Sequence, residues 1–427
     1  MTDPALVIKG GRLVDAGGVR GGDVVVGTDG SILAVGPDLD APRVLDAGGC
    51  VVSPGFVDVH THLREPGKEE AETVETGARG AAAGGYTCIL AMPNTTPAID
   101  SAGIAREVLE LGRSAPCDVR TSAAITVGRA GEQLTPMAEL AALGVRLFTD
   151  DGSGVQDTRL MRRAMEYASA LDVVLAQHCE DEAMAAGGHM HEGEWSSRLG
   201  IAGQPAEAEE LMVMRDIALA RLTGARVHFQ HLSTDGSVAM VRAAKAGGMD
   251  VTCEATTHHF TLTHERCSTF DPVFKVNPPL RTDEDVAAVK VGLADGTIDC
   301  IATDHAPHTP DTKEQPFDEA PPGMLGLETA LGLALTELDL DVEQVVALLS
   351  WRPAQLLGVA DRHGGPIIEG RRANLCVFDP DEEWTVDAST MHSRSRNTPY
   401  AGRRLRGRVR HTLLEGEPVF LDGEATR

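Results

Sequence analysis

The chain has 427 residues, of which 42% are hydrophobic and only 4% aromatic. It is too long for one ordinary domain and fits a large domain with an accessory unit, whose core must consist mainly of Ala, Val, Leu and Ile. The formal net charge of −26 argues against a protein that binds nucleic acid or anionic membranes. An anionic substrate would need local cations at its site.

The sequence gives no support for secretion or membrane insertion. The eight cysteines are scattered without a Cys-x-x-Cys pair, which is typical of reduced core thiols in a cytosolic protein. Residues 1–11 lack the features of a signal peptide, and no apolar stretch is long enough to span a bilayer. We therefore predict a cytoplasmic protein with neither a membrane nor a nucleic-acid partner.

The two chain ends share one texture. Residues 1–53 alternate short apolar runs with Gly and Asp turns, a pattern typical of β-hairpins, and similar runs return at 373–379 and 409–419. We predict one small β-sandwich domain formed by residues 1–53 and 362–427, with the middle of the chain inserted between them.

The middle, residues 54–361, alternates strand-like and helical patterns. The predicted strands are 55–60, 86–92, 119–126, 145–149, 173–178, 226–231, 250–255 and 298–303. The predicted helices include 101–113, 135–143, 158–170, 205–222, 235–247 and 283–295. Eight strands with helices between them predict an α/β fold of the (β/α)8 TIM-barrel type. A doubly wound open sheet is the competing architecture, but polar residues at nearly every strand's C-terminal end favour the barrel.

The first predicted strand of this region ends in a His-x-His pair. His60 and His62 share one side of a strand, so both imidazoles can reach one ion, and Arg64 follows two residues later. An isolated pair of this kind is more often two surface histidines at a strand end. Other strand ends change that balance.

Further metal-ligand residues stand at the ends of later strands. They are the pair Asp150-Asp151, His178, His231 and Asp304. In a barrel these positions converge on one mouth, where imidazoles and carboxylates suit a pair of divalent metals such as zinc. Taken singly, His178 could be a core histidine and Asp304 a turn cap, but the repeated placement at strand ends favours a metal site.

Several motifs together resemble those of the dihydroorotase family. The two main ones are residues 58–67 (DVHTHLREPG) and 302–308 (ATDHAPH) followed by Lys313. Residues 92–95, 178–181, 231–233 and 277–281 agree in the family's order, and the resemblance covers the whole chain. It implies the amidohydrolase barrel and β-domain. It also implies that His60, His62, His178, His231 and Asp304 are metal ligands and that Asp304 is the catalytic general base.

The fourth-strand ligand departs from many relatives. Hydantoinases bridge their metals with a carboxylated lysine there, but this chain has no lysine between Lys68 and Lys245. Asp151 resembles the aspartate that takes this place in type I bacterial dihydroorotases, whereas Asp150 would face the other way on a regular strand. The resemblance implies two zinc ions per subunit, bridged by Asp151 and a hydroxide.

Charge indicates how a substrate would be held. A carboxylate substrate on this acidic chain needs a fixed cation, and the planar guanidinium of Arg64 suits one. The alternative for Arg64 is a surface ion pair with Glu65 or Glu69, and for Asn94 a turn. The resemblance assigns substrate binding to His62, Arg64, Asn94, Asn277, His308, Pro322 and Gly323, and it leaves His258 and His259 outside the ligand set.

The expected activity is the reversible, metal-dependent cyclisation of N-carbamoyl-L-aspartate to (S)-dihydroorotate and water in de novo pyrimidine (UMP) biosynthesis. Two alternatives stay open: another cyclic amidohydrolase, such as allantoinase or dihydropyrimidinase, and an inactive scaffold for aspartate transcarbamoylase. A small-molecule substrate is the expected partner. A homodimer and an association of the active enzyme with aspartate transcarbamoylase are both compatible with the sequence.

Overall fold

The chain folds into antiparallel sheets at its ends and parallel strands alternating with helices in its middle. The structure is a computed structural model that describes residues 2–426. The described strands are β1 Pro4–Lys9, β2 Arg12–Asp15, β3 Gly18–Gly21, β4 Asp23–Gly27, β5 Ile32–Gly36, β6 Arg43–Asp46, β7 Val51–Pro54, β8 Phe56–Thr61, β9 Tyr86–Ala91, β10 Asp118–Thr121, β11 Leu147–Phe148, β12 Val174–Gln177, β13 Met190–His191, β14 Gly203–Gln204, β15 Arg226–Phe229, β16 Val251–Thr256, β17 Cys300–Ala302, β18 Leu375–Thr385, β19 Arg404–Leu414, β20 Glu417–Leu421 and β21 Glu424–Ala425.

Most of the helices lie between the parallel strands or after the last of them. The described α-helices are α1 Val74–Ala83, α2 Ala102–Leu111, α3 Met137–Ala142, α4 Thr158–Ser169, α5 Glu182–Ala185, α6 Glu194–Leu199, α7 Glu207–Thr223, α8 Asp235–Ala246, α9 Asp283–Asp295, α10 Pro310–Lys313, α11 Ala330–Glu337, α12 Val342–Leu349 and α13 Trp351–Leu356. Side-chain caps fix several starts, because Thr73, Asp157 and Thr282 each accept a hydrogen bond from a backbone N–H in the first turn of α1, α4 and α9.

Strands from both chain ends lie in one sheet. The seven-stranded sheet has the order β21-β20-β19-β18-β7-β2-β3, and β18 pairs antiparallel with β7. A four-stranded sheet, β5-β4-β1-β6, comes from the N-terminal end alone. The domain boundaries given above stay a prediction.

Eight of the ten described strands in the middle of the chain form two parallel sheets, and β13 and β14 form a separate parallel pair. The orders are β10-β9-β8 and β11-β12-β15-β16-β17. Two isolated parallel bridges join them, Ala123 to Phe148 at one edge and Thr61 to His305 at the other. The α/β class is therefore confirmed, whereas closure of all eight strands into one barrel stays a prediction.

A buried carboxylate stabilises the second of these seams. Asp58 in β8 accepts hydrogen bonds from the backbone N–H of Thr303, at 3.2 Å, and from its hydroxyl, at 2.5 Å. Beyond this point the N–H of His62 donates to the carbonyl of His305 at 2.8 Å. The two motifs that lie 240 residues apart in the sequence are thus held side by side.

Each of the eight predicted strands is confirmed, but six are shorter than expected, the third and the fourth most clearly. The third ends at Thr121 and not at residue 126, and the fourth is only Leu147–Phe148. The N–H groups of Ile125 and Thr126 donate to the side chain of Asp150 and not to a neighbouring strand, which ends the ladder there. Helix α1 is not in the predicted set. Its glycines lower the intrinsic helix propensity of that segment.

The composition of the core follows the prediction. Buried Ala, Val, Leu and Ile dominate it, with few aromatic rings. The eight cysteines are buried and unpaired, as expected for reduced core thiols. No helix among residues 2–426 is long and apolar enough to cross a membrane.

A polar contact attaches the segment after α13 to the parallel strands. His363 lies between the carboxylate of Asp118 at the start of β10, 2.9 Å from Nε2, and the hydroxyl of Thr87 in β9, 3.1 Å from Nδ1. Burial raises the pKa of Asp118, but the hydrogen bond from His363 and the charge of Arg120 outweigh it and lower that pKa to about 2.

Asp118→Asn is therefore expected to lower the free energy of unfolding by about 2 kcal/mol at pH 7. A carboxyl whose folded-state pKa is depressed stabilises the fold above its unfolded-state value of 3.8, and this contribution is lost as the pH falls from there toward 2. Denaturant titrations should give the same difference from the unmodified protein at pH 7 and pH 5, and a smaller difference at pH 3.5 and pH 3. Asp172→Asn, at an exposed position, is the control. A difference independent of pH would contradict the assignment.

Candidate metal centre

The predicted ligands meet at the C-terminal ends of the parallel strands. His60 is the second-last residue of β8, and His62 directly follows that strand. Asp151, His178 and His231 come within three residues of the ends of β11, β12 and β15. Asp304 follows β17 by two residues. Each apolar strand is buried, so the first polar residues beyond it emerge at a common edge.

One ligand group joins the first strand to the fourth and the eighth. His60, His62 and Asp151 bring their ligand atoms within 4.8 Å of one another. Nε2 of His62 lies 2.8 Å from Oδ1 of Asp304, and Nε2 of His60 lies 3.5 Å from the same oxygen. Two imidazoles and two carboxylates therefore surround one point.

A second ligand group lies beside the first and shares Asp151 with it. Asp151, His178 and His231 also fall within 4.8 Å. Oδ1 of Asp151 is 3.3 Å from Nε2 of His60 and 3.7 Å from both Nδ1 of His178 and Nε2 of His231. Asp151 is the one residue common to both groups, which is the arrangement required of a bridging ligand.

The charges of the site call for a cation. Burial lowers the pKa of His60, but the carboxylates of Asp151, Glu254 and Asp304 raise it well above its ordinary value. Burial also lowers the pKa of His178, but the hydrogen bond to Asp151 acts in the opposite direction. The pKa of His178 rises to about 9. Without other cations, His60 and His178 must neutralise the buried carboxylates by taking up protons.

The orphaned atoms of the site fit a metal ion. Nε2 of His60 is buried and has no hydrogen-bond partner among residues 2–426. Nδ1 of His178 and Nε2 of His231 lie 2.9 Å apart and face the same space. Such convergence of ring nitrogens on carboxylate oxygens is the donor set of zinc and related divalent ions. The residues present therefore fit the metal centre that the sequence predicts.

Glu254 supports this centre, and sequence reasoning missed it. Its Oε1 lies 2.6 Å from Nδ1 of His60 and 3.3 Å from the backbone nitrogen of His231, and its Oε2 lies 3.0 Å from Nε2 of His228. A metal-binding imidazole usually donates its other N–H to such a carboxylate, which fixes the ring. The signal was a lone glutamate inside the apolar run of β16, where a charge needs partners.

Asn94 contacts two of the predicted ligands, whereas Asp150 points away from them. Asn94 accepts a hydrogen bond from Nδ1 of His62 at 2.9 Å and donates to Oδ2 of Asp151 at 3.0 Å. Its amide therefore orients two predicted ligands. Asn94 also lines the cavity next to them. Asp150 points away from the cluster, toward Ile125 and Thr126, so the structure brings Asp151 and not Asp150 to the site.

His258 and His259 lie near the cluster but belong to neither of the two ligand groups. His259 is hydrogen-bonded to the hydroxyl of Thr256 and the carbonyl of Pro278. Burial, and then the neighbouring His258, lower the pKa of His259 well below its ordinary value. His258 is buried without a partner for Nε2 within the described chain.

A small cavity opens beside the cluster. Its volume is about 170 Å³, below the ~300–1,000 Å³ of pockets for drug-sized molecules. The residues around it include His62, Arg64, Asn94, Asp151, His178, His231, Asn277, Asp304, His308, Pro322 and Gly323. A larger cavity of about 1010 Å³ lies elsewhere, near Asp118 and Arg362, whose charges are already paired.

Arg64 is the free cation of the small cavity. Its Nε donates to the carbonyl of Pro307 at 3.1 Å and its Nη2 lies 3.3 Å from Nε2 of His308, but Arg64 forms no ion pair with a carboxylate among residues 2–426. Glu65 and Glu69 instead accept hydrogen bonds from the backbone N–H groups of Val74 and Gly67, so the expected alternative of a surface pair does not occur. Burial lowers the pKa of Arg64 to about 10, which leaves it charged at neutral pH.

The far wall of the cavity is a segment held by several hydrogen bonds. His308 lies 2.9 Å from the carbonyl of Pro322, and Lys313 donates to the carbonyl of Gly323 at 3.1 Å. Asn397, from the C-terminal segment, accepts from the N–H of His308 at 3.1 Å and donates to the carbonyls of Ala306 and Gly323. Asn397 thus ties together both sides of the loop, which the sequence did not indicate.

Three residues of this site have a strained backbone. Arg64, His231 and Asp304 have φ values of 61°, 33° and 46°, a region that residues other than glycine rarely occupy. Strain of this kind costs about 1–3 kcal/mol per residue and persists where the surroundings impose it, most often at functional sites.

Glu254→Gln is expected to weaken metal binding by ~10–100-fold, because the amide holds the His60 ring less firmly than a carboxylate does. The measurement is the competition of the protein with a chromophoric chelator for zinc, with circular dichroism to confirm the fold. Asp216→Asn, another buried carboxylate away from the cluster, is the matched control. An unchanged zinc affinity in the Glu254 variant would show that this carboxylate does not orient a ligand.

Comparisons with known proteins identify relatives of this chain. A family model described as dihydro-orotase-like matches residues 49–237. The dihydroorotase of Streptomyces coelicolor is 48% identical over 414 residues, which cover 95% of this chain and 96% of that protein. The dihydroorotase of Pelotomaculum thermopropionicum is 47% identical over 425 residues, 98% of this chain and 99% of that protein.

Solved structures show the same fold in related enzymes. The L-hydantoinase (dihydropyrimidinase) of Arthrobacter aurescens has a TM-score of 0.89 at 27% identity and covers 100% of this chain and 98% of its own. The dihydropyrimidinase of Brevibacillus agri has a TM-score of 0.85 at 23% identity, covering 100% and 96%. Over nearly its full length, the chain is more similar in sequence to the two dihydroorotases than to these two solved structures. The chain belongs to the dihydroorotase family.

Proposed function

We propose that this chain catalyses the reversible cyclisation of N-carbamoyl-L-aspartate to (S)-dihydroorotate and water, a step of de novo pyrimidine synthesis in the cytoplasm. The observation that carries the proposal is the charged, unpaired guanidinium of Arg64 beside the His/Asp cluster, in one cavity of about 170 Å³. A small cyclic amide with a carboxylate matches this combination of a cation and a metal-ligand set.

The cavity residues can position such a substrate. Arg64 binds the carboxylate through its planar fork, and the amide of Asn277 supplies a neutral hydrogen bond. His308 contributes an uncharged imidazole, because burial and the nearby charge of Arg64 lower its pKa to about 2. The backbone around Pro322 and Gly323 forms the wall opposite the cluster. Together these groups hold the scissile carbonyl against the cluster.

Asp304 is the group that moves the proton. Burial raises the pKa of its carboxyl, but the charge of His60 and the hydrogen bond from His62 lower it far below its usual range. The carboxylate is therefore ionised. In the hydrolytic direction it accepts a proton from the attacking water and delivers it to the departing amide nitrogen as the C–N bond breaks. Ring closure uses the same transfers in reverse.

We infer that the metal centre would hold two zinc ions, for which His60, His62, Asp151, His178, His231 and Asp304 would be the ligands. When bound, divalent cations supply a Lewis acid that polarises the carbonyl and lowers the pKa of water. The shared position of Asp151 between the two ligand groups supports the count of two.

The fold that carries this site is, we propose, a closed (β/α)8 barrel over residues 54–361 with a β-sandwich from residues 1–53 and 362–427. The parallel bridges at both seams of the eight strands support closure. The seven-stranded sheet that combines β7 with β18 supports the shared end domain. An association with aspartate transcarbamoylase stays a prediction.

Asp304→Asn is expected to lower turnover by ~10²–10⁴-fold in both directions, because the amide cannot accept the proton. Rates are measured with dihydroorotate and with carbamoyl aspartate, beside zinc content and circular dichroism. Asp299→Asn, at the opposite end of β17 and paired with Lys245, should keep normal rates. Near-normal turnover in a folded, metal-loaded Asp304 variant would remove this residue from the mechanism.

Arg64→Gln is expected to reduce kcat/KM for dihydroorotate by ~10²-fold or more, mainly through KM, because the carboxylate loses its charged partner. Hydantoin and allantoin, assayed beside it, lack that carboxylate and should show no further loss. Arg226→Gln, at a surface ion pair, is the control. If the unmodified protein turns over hydantoin or allantoin faster than dihydroorotate, the result would favour another cyclic amidohydrolase. No activity with zinc bound would favour the scaffold.

A further inference from the structure

A buried histidine contacts Glu254 on the oxygen that does not face the metal centre. Oε1 of Glu254 lies 2.6 Å from Nδ1 of His60, whereas Oε2 lies 3.0 Å from Nε2 of His228. All three side chains are fully buried. The carboxylate therefore connects a predicted metal ligand with a second histidine that is not itself a predicted ligand.

The pairing of two parallel strands determines the position of His228. In the register of β15 and β16, His228 lies opposite Thr252. Side chains alternate along a strand, so Thr252 and Glu254 point to the same side of β16. The imidazole of His228 contacts both, with Nδ1 2.9 Å from the hydroxyl of Thr252. Because both ring nitrogens have a partner, the ring is fixed in one orientation.

The charge of Glu254 determines the direction of these hydrogen bonds. Burial raises the pKa of Glu254, but the charge of His60 and the hydrogen bond from His228 outweigh it and lower that pKa to about 2. An ionised carboxylate can only accept hydrogen bonds, so Nε2 of His228 is the donor. In the neutral imidazole, Nδ1 then accepts a hydrogen bond from the hydroxyl of Thr252.

No other group can replace His228 in this contact. Oε2 of Glu254 has no further hydrogen-bond partner in the part of the chain that the structure describes. Sγ of Cys300 lies within 4.8 Å of the ligand atoms of His228 and Glu254, but a thiol is a weak donor. A carboxylate that is held only through Oε1 can tilt, and tilting moves that oxygen away from Nδ1 of His60.

His228 acts on the site from a distance. It does not line the cavity beside the cluster, and it belongs to neither of the two ligand groups that share Asp151. The backbone ladder already joins β15 to β16, so the imidazole is not needed to pair these strands. Burying a polar side chain costs free energy unless its hydrogen bonds are satisfied. Its placement beside Glu254 therefore indicates a role in the site and not in packing.

We propose that His228 is a positioning residue of the metal centre, which holds the carboxylate of Glu254 in the orientation that fixes the imidazole of His60. This inference rests on the metal centre proposed above. His228 itself contacts neither the metal nor the substrate. Its effect on metal binding passes through Glu254 alone.

The first test is the zinc affinity of the full-length protein, measured by competition with a chromophoric chelator, with circular dichroism to confirm the fold. His228→Leu removes the donor and should weaken zinc binding by ~10-fold or more. His228→Gln, whose amide can donate to the same oxygen, should stay within ~3-fold of the unmodified protein. Unchanged zinc affinity in a folded His228→Leu protein, or an equal loss in both variants, would overturn the proposal.

His363→Leu is the matched control for the loss of a buried histidine. His363 is also buried and also hydrogen-bonded through both ring nitrogens, but its partners are Thr87 and Asp118. This variant should keep the zinc affinity of the unmodified protein. The same loss of affinity in His363→Leu as in His228→Leu would show that general destabilisation, and not the contact with Glu254, weakens zinc binding.

The second test is a double-mutant cycle, which shows whether His228 acts through Glu254. In the Glu254→Gln protein, adding His228→Leu should cause no further loss of zinc affinity, because the carboxylate that it positions is absent. Two losses that multiply as independent effects would contradict the proposal. If His228→Leu does not fold, Thr252→Val gives a separate measurement: loss of the hydroxyl frees the other ring nitrogen and should weaken zinc binding by about 3-fold. Unchanged affinity in Thr252→Val would then count against the proposal.

Steady-state kinetics separate a positioning role from substrate binding. In His228→Leu, kcat for dihydroorotate should fall at limiting zinc and recover in excess zinc, while KM stays unchanged. A raised KM at saturating zinc would contradict the proposal. A protein that binds zinc as expected but does not act on dihydroorotate would overturn the proposed activity and not this inference. An unmodified protein that binds no zinc would overturn both.

Discussion

The structure depends on one buried carboxylate that is shared between two groups of histidines. Asp151 lies between His60 and His62 on one side and His178 and His231 on the other. These residues come from four different strand ends, so no local segment can assemble the site alone. Because the carboxylate and the imidazoles are all buried, their charges cannot be screened by water and must be balanced within the cluster. A cation at this point removes that imbalance, which links metal binding to the stability of the strand ends.

The supporting residues around the cluster explain how it keeps its geometry. Glu254 in β16 is hydrogen-bonded to His60, and Asn94 is hydrogen-bonded to both His62 and Asp151. Asp58 joins β8 to the segment that carries Asp304. The contacts of Glu254 and Asp151 involve a carboxylate, and such charge-assisted hydrogen bonds are stronger than neutral ones. They leave the ligand nitrogens free to face the metal position.

The C-terminal segment contributes to the cavity although it lies outside the parallel strands. Asn397 hydrogen-bonds to the loop on both sides of His308, and Ser393 and the backbone of Arg394 bind the carboxylate of Glu72 just before α1. The end of the chain therefore stabilises the wall of the cavity opposite the cluster. The β-sheet domain and the site are linked through this segment, so loosening one should affect the other.

The sequence by itself determined which residues could bind metal and on which strands they stand. Apolar strands with a polar residue just beyond each end indicate a shared edge. The absence of lysine from residues 69–244, together with the resemblance to type I dihydroorotases, favours Asp151 as the predicted bridging residue. The tertiary structure decided what depends on distances between remote segments. Glu254 and Asn397 have no local motif, because a buried carboxylate or amide acquires a role only from the partners that folding brings to it.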